Sequence, residues 1–217
     1  MYAEVLVGAS AFFCTANLGT AYSLAMRFLG LMLLFACGTV YGAGARLGFE
    51  YEREKDRQSG ISSDAVTAEF GWDFEKDSLI NSVELSVERN RDSEADTDGF
   101  RERETKVFVR LRHSHMLTKY VGYYLRGGVG RSFNNERDFS YAYIEPGLQV
   151  DFLDCWEWKA GMRHIDSIGS SDGQLVREFQ TGPTYKFDKR NEVEIRYIRG
   201  RGDKDFKAWS IGYSFKF

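Results

Sequence analysis

The sequence predicts an all-β chain: an antiparallel up-and-down transmembrane β-barrel of about ten strands, with eight or twelve as neighbouring solutions. Three observations carry this. Apolar and polar residues alternate with period two almost everywhere after residue 45. The chain ends AWSIGYSFKF, with Trp209, Ile211, Tyr213, Phe215 and Phe217 on one face and Ser, Gly, Ser and Lys between them. Short connections alternate with longer polar ones, as in a barrel with turns on one side of a membrane and loops on the other.

The strands can be read in order. ARLGFEYERE sets Leu47, Phe49 and Tyr51 against Gly48, Glu50 and Glu52. AVTAEFGWDF sets Val66, Phe70, Trp72 and Phe74 against Thr67, Glu69, Gly71 and Asp73. NSVELSVE opposes Val83, Leu85 and Val87 to Ser82, Glu84, Ser86 and Glu88. KVFVRLRHS opposes Val107, Val109 and Leu111 to Lys106, Arg110 and Arg112. YVGYYLRGGVGR opposes Val121, Tyr123, Leu125 and Val129 to Gly122, Tyr124, Arg126, Gly128 and Gly130. YAYIEPGLQVDF, WEWKAGMRH, REFQTGPTYKF and VEIRYIRG repeat the pattern, and the last ten residues close it. EKDS, LTK, LDC and DKRN mark the short turns; EREKDRQSGIS, RNRDSEADTDGFRERE, FNNERDFS, DSIGSSDGQ and RGRGDKD mark the long loops. Counted this way, both ends of the barrel fall on the short-turn side. Pro146 and Pro183 stand inside strands and remove a ladder donor each, which a closed barrel tolerates only at an irregularity.

Composition narrows the function classes. Of 217 residues, 28% are charged and 15% aromatic, so the chain is neither a helical membrane bundle nor disordered. A net charge of −3 gives no broad surface for nucleic acid. Cys14 and Cys37 lie in the N-terminal apolar region and Cys155 stands alone, so no disulfide, metal site or cofactor is expected.

Residues 1–45 read as an address and residues 46–217 as the barrel domain. Met26-Arg27, the apolar FLGLMLLFA and Ala43-Gly44-Ala45 match a secretory signal peptide, with Met26 as the expected start. Cleavage after Ala43 or Ala45 and lipidation at Cys37 are the alternatives. Export places the mature chain in a bacterial envelope.

Alternation alone also allows a water-soluble sandwich, with the apolar faces packed together. Trp72, Phe74, Trp156, Trp158, Phe187, Phe215 and Phe217 near strand ends instead suggest an interfacial girdle. The expected location is therefore the outer membrane, in contact with lipid and lipopolysaccharide. The other face would line the interior. Glu50, Glu52, Glu69, Asp73, Glu84 and Glu88 form an acidic wall on the first three strands; Lys106, Arg110, Arg112 and Arg126 form a basic wall on the next two. Such walls make either a water-filled pore for small charged solutes or a plug of mutually neutralising ion pairs. The pore is the preferred expectation. No catalytic residue is expected: His113 and His115 alternate away from Ser114, and the Arg201-Gly202-Asp203 triplet reads as a solvated loop.

The terminal YSFKF resembles the closing strand that outer-membrane barrels present to the barrel assembly machinery, which implies recognition through a strand ending at Phe217. NEVEIRYIRG with AWSIGYSFKF, and the opening RLGFEYEREKDR, are similar to the ends of the KdgM family of oligogalacturonate-specific small porins. That resemblance implies a passive, monomeric channel for acidic oligosaccharides, with Arg110, Arg112 and Arg126 as its basic lining. That family has about twelve strands, more than are counted here.

Overall fold

A computed structural model of the chain describes residues 43–76, 78–92, 103–134, 138–168 and 175–217. The signal segment, Cys14 and Cys37 lie outside the described residues, apart from Ala43–Ala45. Ten antiparallel strands close into one barrel, each paired with its neighbours in sequence and β1 with β10. They are β1 Ala43–Asp56, β2 Ser62–Lys76, β3 Leu79–Asp92, β4 Arg103–Met116 and β5 Val121–Asn134, then β6 Phe139–Leu153, β7 Trp156–Ile168, β8 Leu175–Lys186, β9 Asn191–Gly202 and β10 Phe206–Lys216. Closure runs from Arg46 opposite Lys216 to Asp56 opposite Phe206, so no edge is left unpaired.

The expected sidedness is present on every strand. Phe49, Val66, Leu85, Val107, Val129, Leu148, Met162, Phe179, Ile195 and Ile211 are all exposed and point outward, one from each strand in order. A continuous apolar belt of this kind is unstable against water and fits hydrocarbon. Aromatic rings cluster at the short-turn rim: Trp156 lies 4.8 Å from Tyr185, Tyr185 4.8 Å from Phe187, and Phe215 5.0 Å from Phe217. Trp158 satisfies its indole N–H by donating to Thr181 Oγ1 at 2.9 Å on the next strand.

The connections differ from expectation in one respect. The ends of the polar runs expected as long loops are strand. EREKD lies in β1 and RNRD in β3, leaving 57–61, 93–102, 135–138, 169–174 and 203–205 as the connections on that side. All strands but β10 have 12 to 15 residues, more than the 9–11 or so needed to cross a bilayer, so the barrel wall continues beyond the membrane as a polar rim. Asp56 seals the first of these connections by accepting from the backbone N–H groups of Gln58 and Ser59, each at 2.7 Å, with Gly60 at φ 75° supplying the left-handed residue.

Both prolines stand where the ladder lapses. β6 pairs with β7 at Ile144–His164 and again at Gly147–Gly161, skipping Pro146. β8 pairs with β9 at Thr181–Tyr197 and again at Thr184–Glu194, skipping Pro183. The missing N–H is thus placed at a break, and the barrel stays closed.

Candidate functional site

The interior is filled by side chains of unequal size. Gly48, Gly71, Gly128, Gly147 and Gly161 face inward beside long residues and give them room. Tyr124 shows the principle: its ring lies across Gly147 on β6 and Gly161 on β7, where any Cβ would overlap it. Register then decides which charges meet. Glu84 on β3 stands opposite Gly71 on one side and Arg110 on the other, and Glu88 stands opposite Lys106.

Two arcs of ion pairs result. The first spans β1–β4. Arg46 reaches Glu69 at 3.0 Å, Asp73 at 3.9 Å and also Glu84, while Arg110 pairs with both Glu69 and Glu84. The second runs from β5 around to β1. Arg126 contacts Glu145 at 3.5 Å, and Arg163 donates to Glu145 at 2.9 Å and to Glu178 at 3.2 Å. Gln180 donates to Glu178 at 2.9 Å and accepts from Arg196 at 3.3 Å, and Arg196 pairs with Glu50 on β1. A satellite on the short-turn side joins Lys159 and Lys186 to Glu157 at 2.7 and 2.9 Å.

Each sequence-predicted interior residue does face inward. Glu50, Glu69, Asp73 and Glu84 are ion-paired as described, and Lys216 adds a contact to Asp73 at 3.4 Å. Glu88 takes Lys106 at 2.8 Å, and Lys106 also reaches Glu104 at 3.2 Å. Arg112 donates to Ser114 Oγ at 2.8 Å, and Glu52 has no ion-pair partner among the described residues. The acidic and basic walls are therefore neighbours through β3 and β4, not opposite banks of a channel. Sequence reasoning missed Arg46 as a hub, although it shares the face of Gly48 and Glu50 and was legible by alternation. It also left Glu145, Arg163 and Glu178 unranked.

The centres of both arcs are closed off from water. Glu145 is 0% exposed, Glu84 3%, Arg126 8% and Arg110 9%. Around Tyr124, Arg126, Glu145, Gln180 and Arg196 a void of about 10 Å³ remains, room for about one water molecule. Toward the loop side the interior divides. Val176, Ile198, Phe206 and Ala208, with Ile165, make an apolar cluster on β7–β10. Opposite it opens a vestibule of about 160 Å³ lined by Glu54, Asp56, Asp92, Glu104 and Lys204 together with Ser59, Ser63 and Asn90. His113 faces outward and bonds Asn81 at 2.9 Å, His115 faces outward beside Tyr123, and Ser114 is buried inside, so the three form no dyad.

Solved structures with the same architecture include an outer-membrane channel from Pseudomonas putida F1, at TM-score 0.55 and 8% identity over 82% of this chain and 97% of that one. The translocator domain of autotransporter NalP from Neisseria meningitidis aligns at TM-score 0.50 and 10% identity, over 92% and 98% of the two chains. The architecture is that of a bacterial outer-membrane β-barrel. KdgM porin in complex with disordered oligogalacturonate is also a structural neighbour, at TM-score 0.45 and 12% identity over 79% of this chain and 99% of that one. No family model matches the chain, and no curated protein matches it in sequence. The outward belt and the closed sheet fit a barrel in the outer membrane with lipid around it.

Proposed function

We propose that this protein is a sealed outer-membrane barrel that passes no solute through its resting interior and acts at the cell surface through its extended polar rim. The observation that carries this reading is the burial of Glu145 between Arg126 and Arg163 within the second arc of ion pairs. A water-filled pore would leave those groups hydrated; here they satisfy one another. Signal-peptide export of residues 1–45 and recognition of the strand ending at Phe217 by the barrel assembly machinery belong to the same proposal. β1 begins at Ala43, so cleavage after Ala45 would remove its first residues and leave Arg46 at the terminus.

The second reading is a porin-like passive channel for small charged solutes. It is favoured by the polarity of the filling: Arg126 Nε and Glu194 Oε1 are buried without a hydrogen-bond partner, positions that water or a passing ion would satisfy. Acidic oligosaccharides fit it poorly, because four vestibule carboxylates face a single lysine. Planar-bilayer recording separates the two. The sealed reading predicts no steady conductance from folded wild-type protein and a current in Glu145→Ala with Arg126→Ala. A steady ohmic current from the wild type would establish the channel.

A further inference from the structure

Every Lys or Arg that points outward from a described strand side chain lies on the loop half of the barrel. The short-turn half presents rings, aliphatics, histidines and neutral polar residues such as Asn81 and Asn191 there instead. The loop-half cations are not evenly spread. On β1, β10 and β9, Lys55 stands directly opposite Lys207, and Lys207 directly opposite Arg199. One row further out, Arg177 on β8 stands opposite Arg201 on β9. Like charges directly opposite on neighbouring strands repel, with Cβ atoms only about 5 Å apart.

Local acids offset this only in part. Asp205 takes Arg199 at 3.2 Å and Arg57 at 3.4 Å. Asp64 lies 3.9 Å from Arg53, and Asp203 is held by the backbone N–H of Leu175 at 2.6 Å. Asp166 faces outward on β7, opposite Leu175. Lys55, Lys207, Arg177 and Arg201 have no ion-pair partner among the described residues.

The height of the patch identifies what relieves it. Trp209 and Tyr197, with ring centroids 5.1 Å apart, mark the membrane interface on β10 and β9. Lys207 and Arg199 are two residues further toward the loops on the same outward face, a rise of about 7 Å. That is the level of lipid headgroups, so the anions these outward side chains meet are those of the headgroups.

We propose that the outward rim of β8, β9, β10 and β1, centred on Lys207, is a binding site for the phosphorylated headgroup of an outer-leaflet glycolipid. Lys55, Lys207 and Arg199 would share the phosphate oxygens, with Arg177 and Arg201 on a second anionic group. Arg53 lies one row below, level with Trp209. The site does not depend on whether the interior conducts.

The test uses the full chain refolded in zwitterionic detergent and native mass spectrometry with bisphosphorylated lipid A. The wild type should retain one lipid through desolvation and retain none of the dephosphorylated form. Lys207→Gln with Arg199→Gln should weaken retention roughly tenfold or more, as expected for two lost charge-assisted bonds. Arg89→Gln with Arg91→Gln removes the same charge elsewhere on the rim and should retain lipid as the wild type does. Fold is checked by the heat-dependent shift in gel mobility; should the Lys207 and Arg199 pair misfold, Lys55→Gln alone carries the test and should lower retention. Equal retention of phosphorylated and dephosphorylated lipid, or equal loss in both double variants, overturns the site. Displacement of the lipid by millimolar inorganic phosphate overturns the lipid assignment and leaves a free-anion site.

Discussion

Glu145→Ala is the most direct perturbation of the buried ion pairs. Glu145 is wholly buried and takes Arg163 at 2.9 Å and Arg126 at 3.5 Å. After truncation Arg163 keeps Glu178 at 3.2 Å, so the uncompensated charge falls on Arg126, whose Nε is already without a hydrogen-bond partner. Orphaning one buried guanidinium costs about 3–5 kcal/mol. In urea titration of the barrel in lipid vesicles, followed by tryptophan fluorescence, that loss lowers the midpoint by roughly 2 M at a typical slope for a small protein. Removing Arg126 as well should recover most of it, because the orphan is gone. A loss below about 1 kcal/mol, the range of a solvated pair, would refute the claim that these charges are sealed from water.

Three further outcomes follow from the same structure. Gly147→Ala drives a Cβ into the Tyr124 ring and should destabilise the barrel by about 1–3 kcal/mol, with Tyr124→Ala partly rescuing it in a double-mutant cycle. Leu148→Arg, at an outward position near the middle of β6, should cost about 2–4 kcal/mol in a bilayer, against little for an inward polar exchange; an insignificant loss places that face in water. In the β8–β9 turn, hydrogen bonds from the Arg190 backbone and from Asn191 hold the Asp188 carboxyl below its ordinary range. A folded value lowered in this way stabilises above the unfolded value. The stability gap between wild type and Asp188→Ala should therefore be constant above pH about 4 and shrink as pH falls further, which urea midpoints at several pH values would show.

Much of the fold was legible because a strand has period two and a bilayer accepts only one face of it. Phe49, Leu85 and Ile211 announce their side without any neighbour being known. Strand ends were less legible. RNRD in β3 carries loop-like composition because the wall there stands in water, where backbone pairing continues but apolar residues gain nothing. The interior was legible as a set of charges but not as pairs. Whether Glu84 meets Arg110 or faces it across a lumen depends on register and barrel closure, which are long-range. The inward apolar cluster of Val176, Ile198 and Phe206 could not be found by alternation, since it breaks the rule that the inner face is polar.

Cysteine accessibility tests the sealed interior and the outward belt in one measurement. Ser86 is 0% exposed inside the barrel, and Leu85, its neighbour in sequence, is 48% exposed on the outer face. With Cys14, Cys37 and Cys155 replaced by serine, Ser86→Cys and Leu85→Cys are reconstituted in vesicles and treated with a charged thiosulfonate or a lipid-soluble maleimide. The account predicts that Ser86→Cys resists the charged reagent until the barrel is unfolded, while Leu85→Cys reacts only with the lipid-soluble one. Rapid charged labelling of Ser86→Cys in the folded barrel would contradict it.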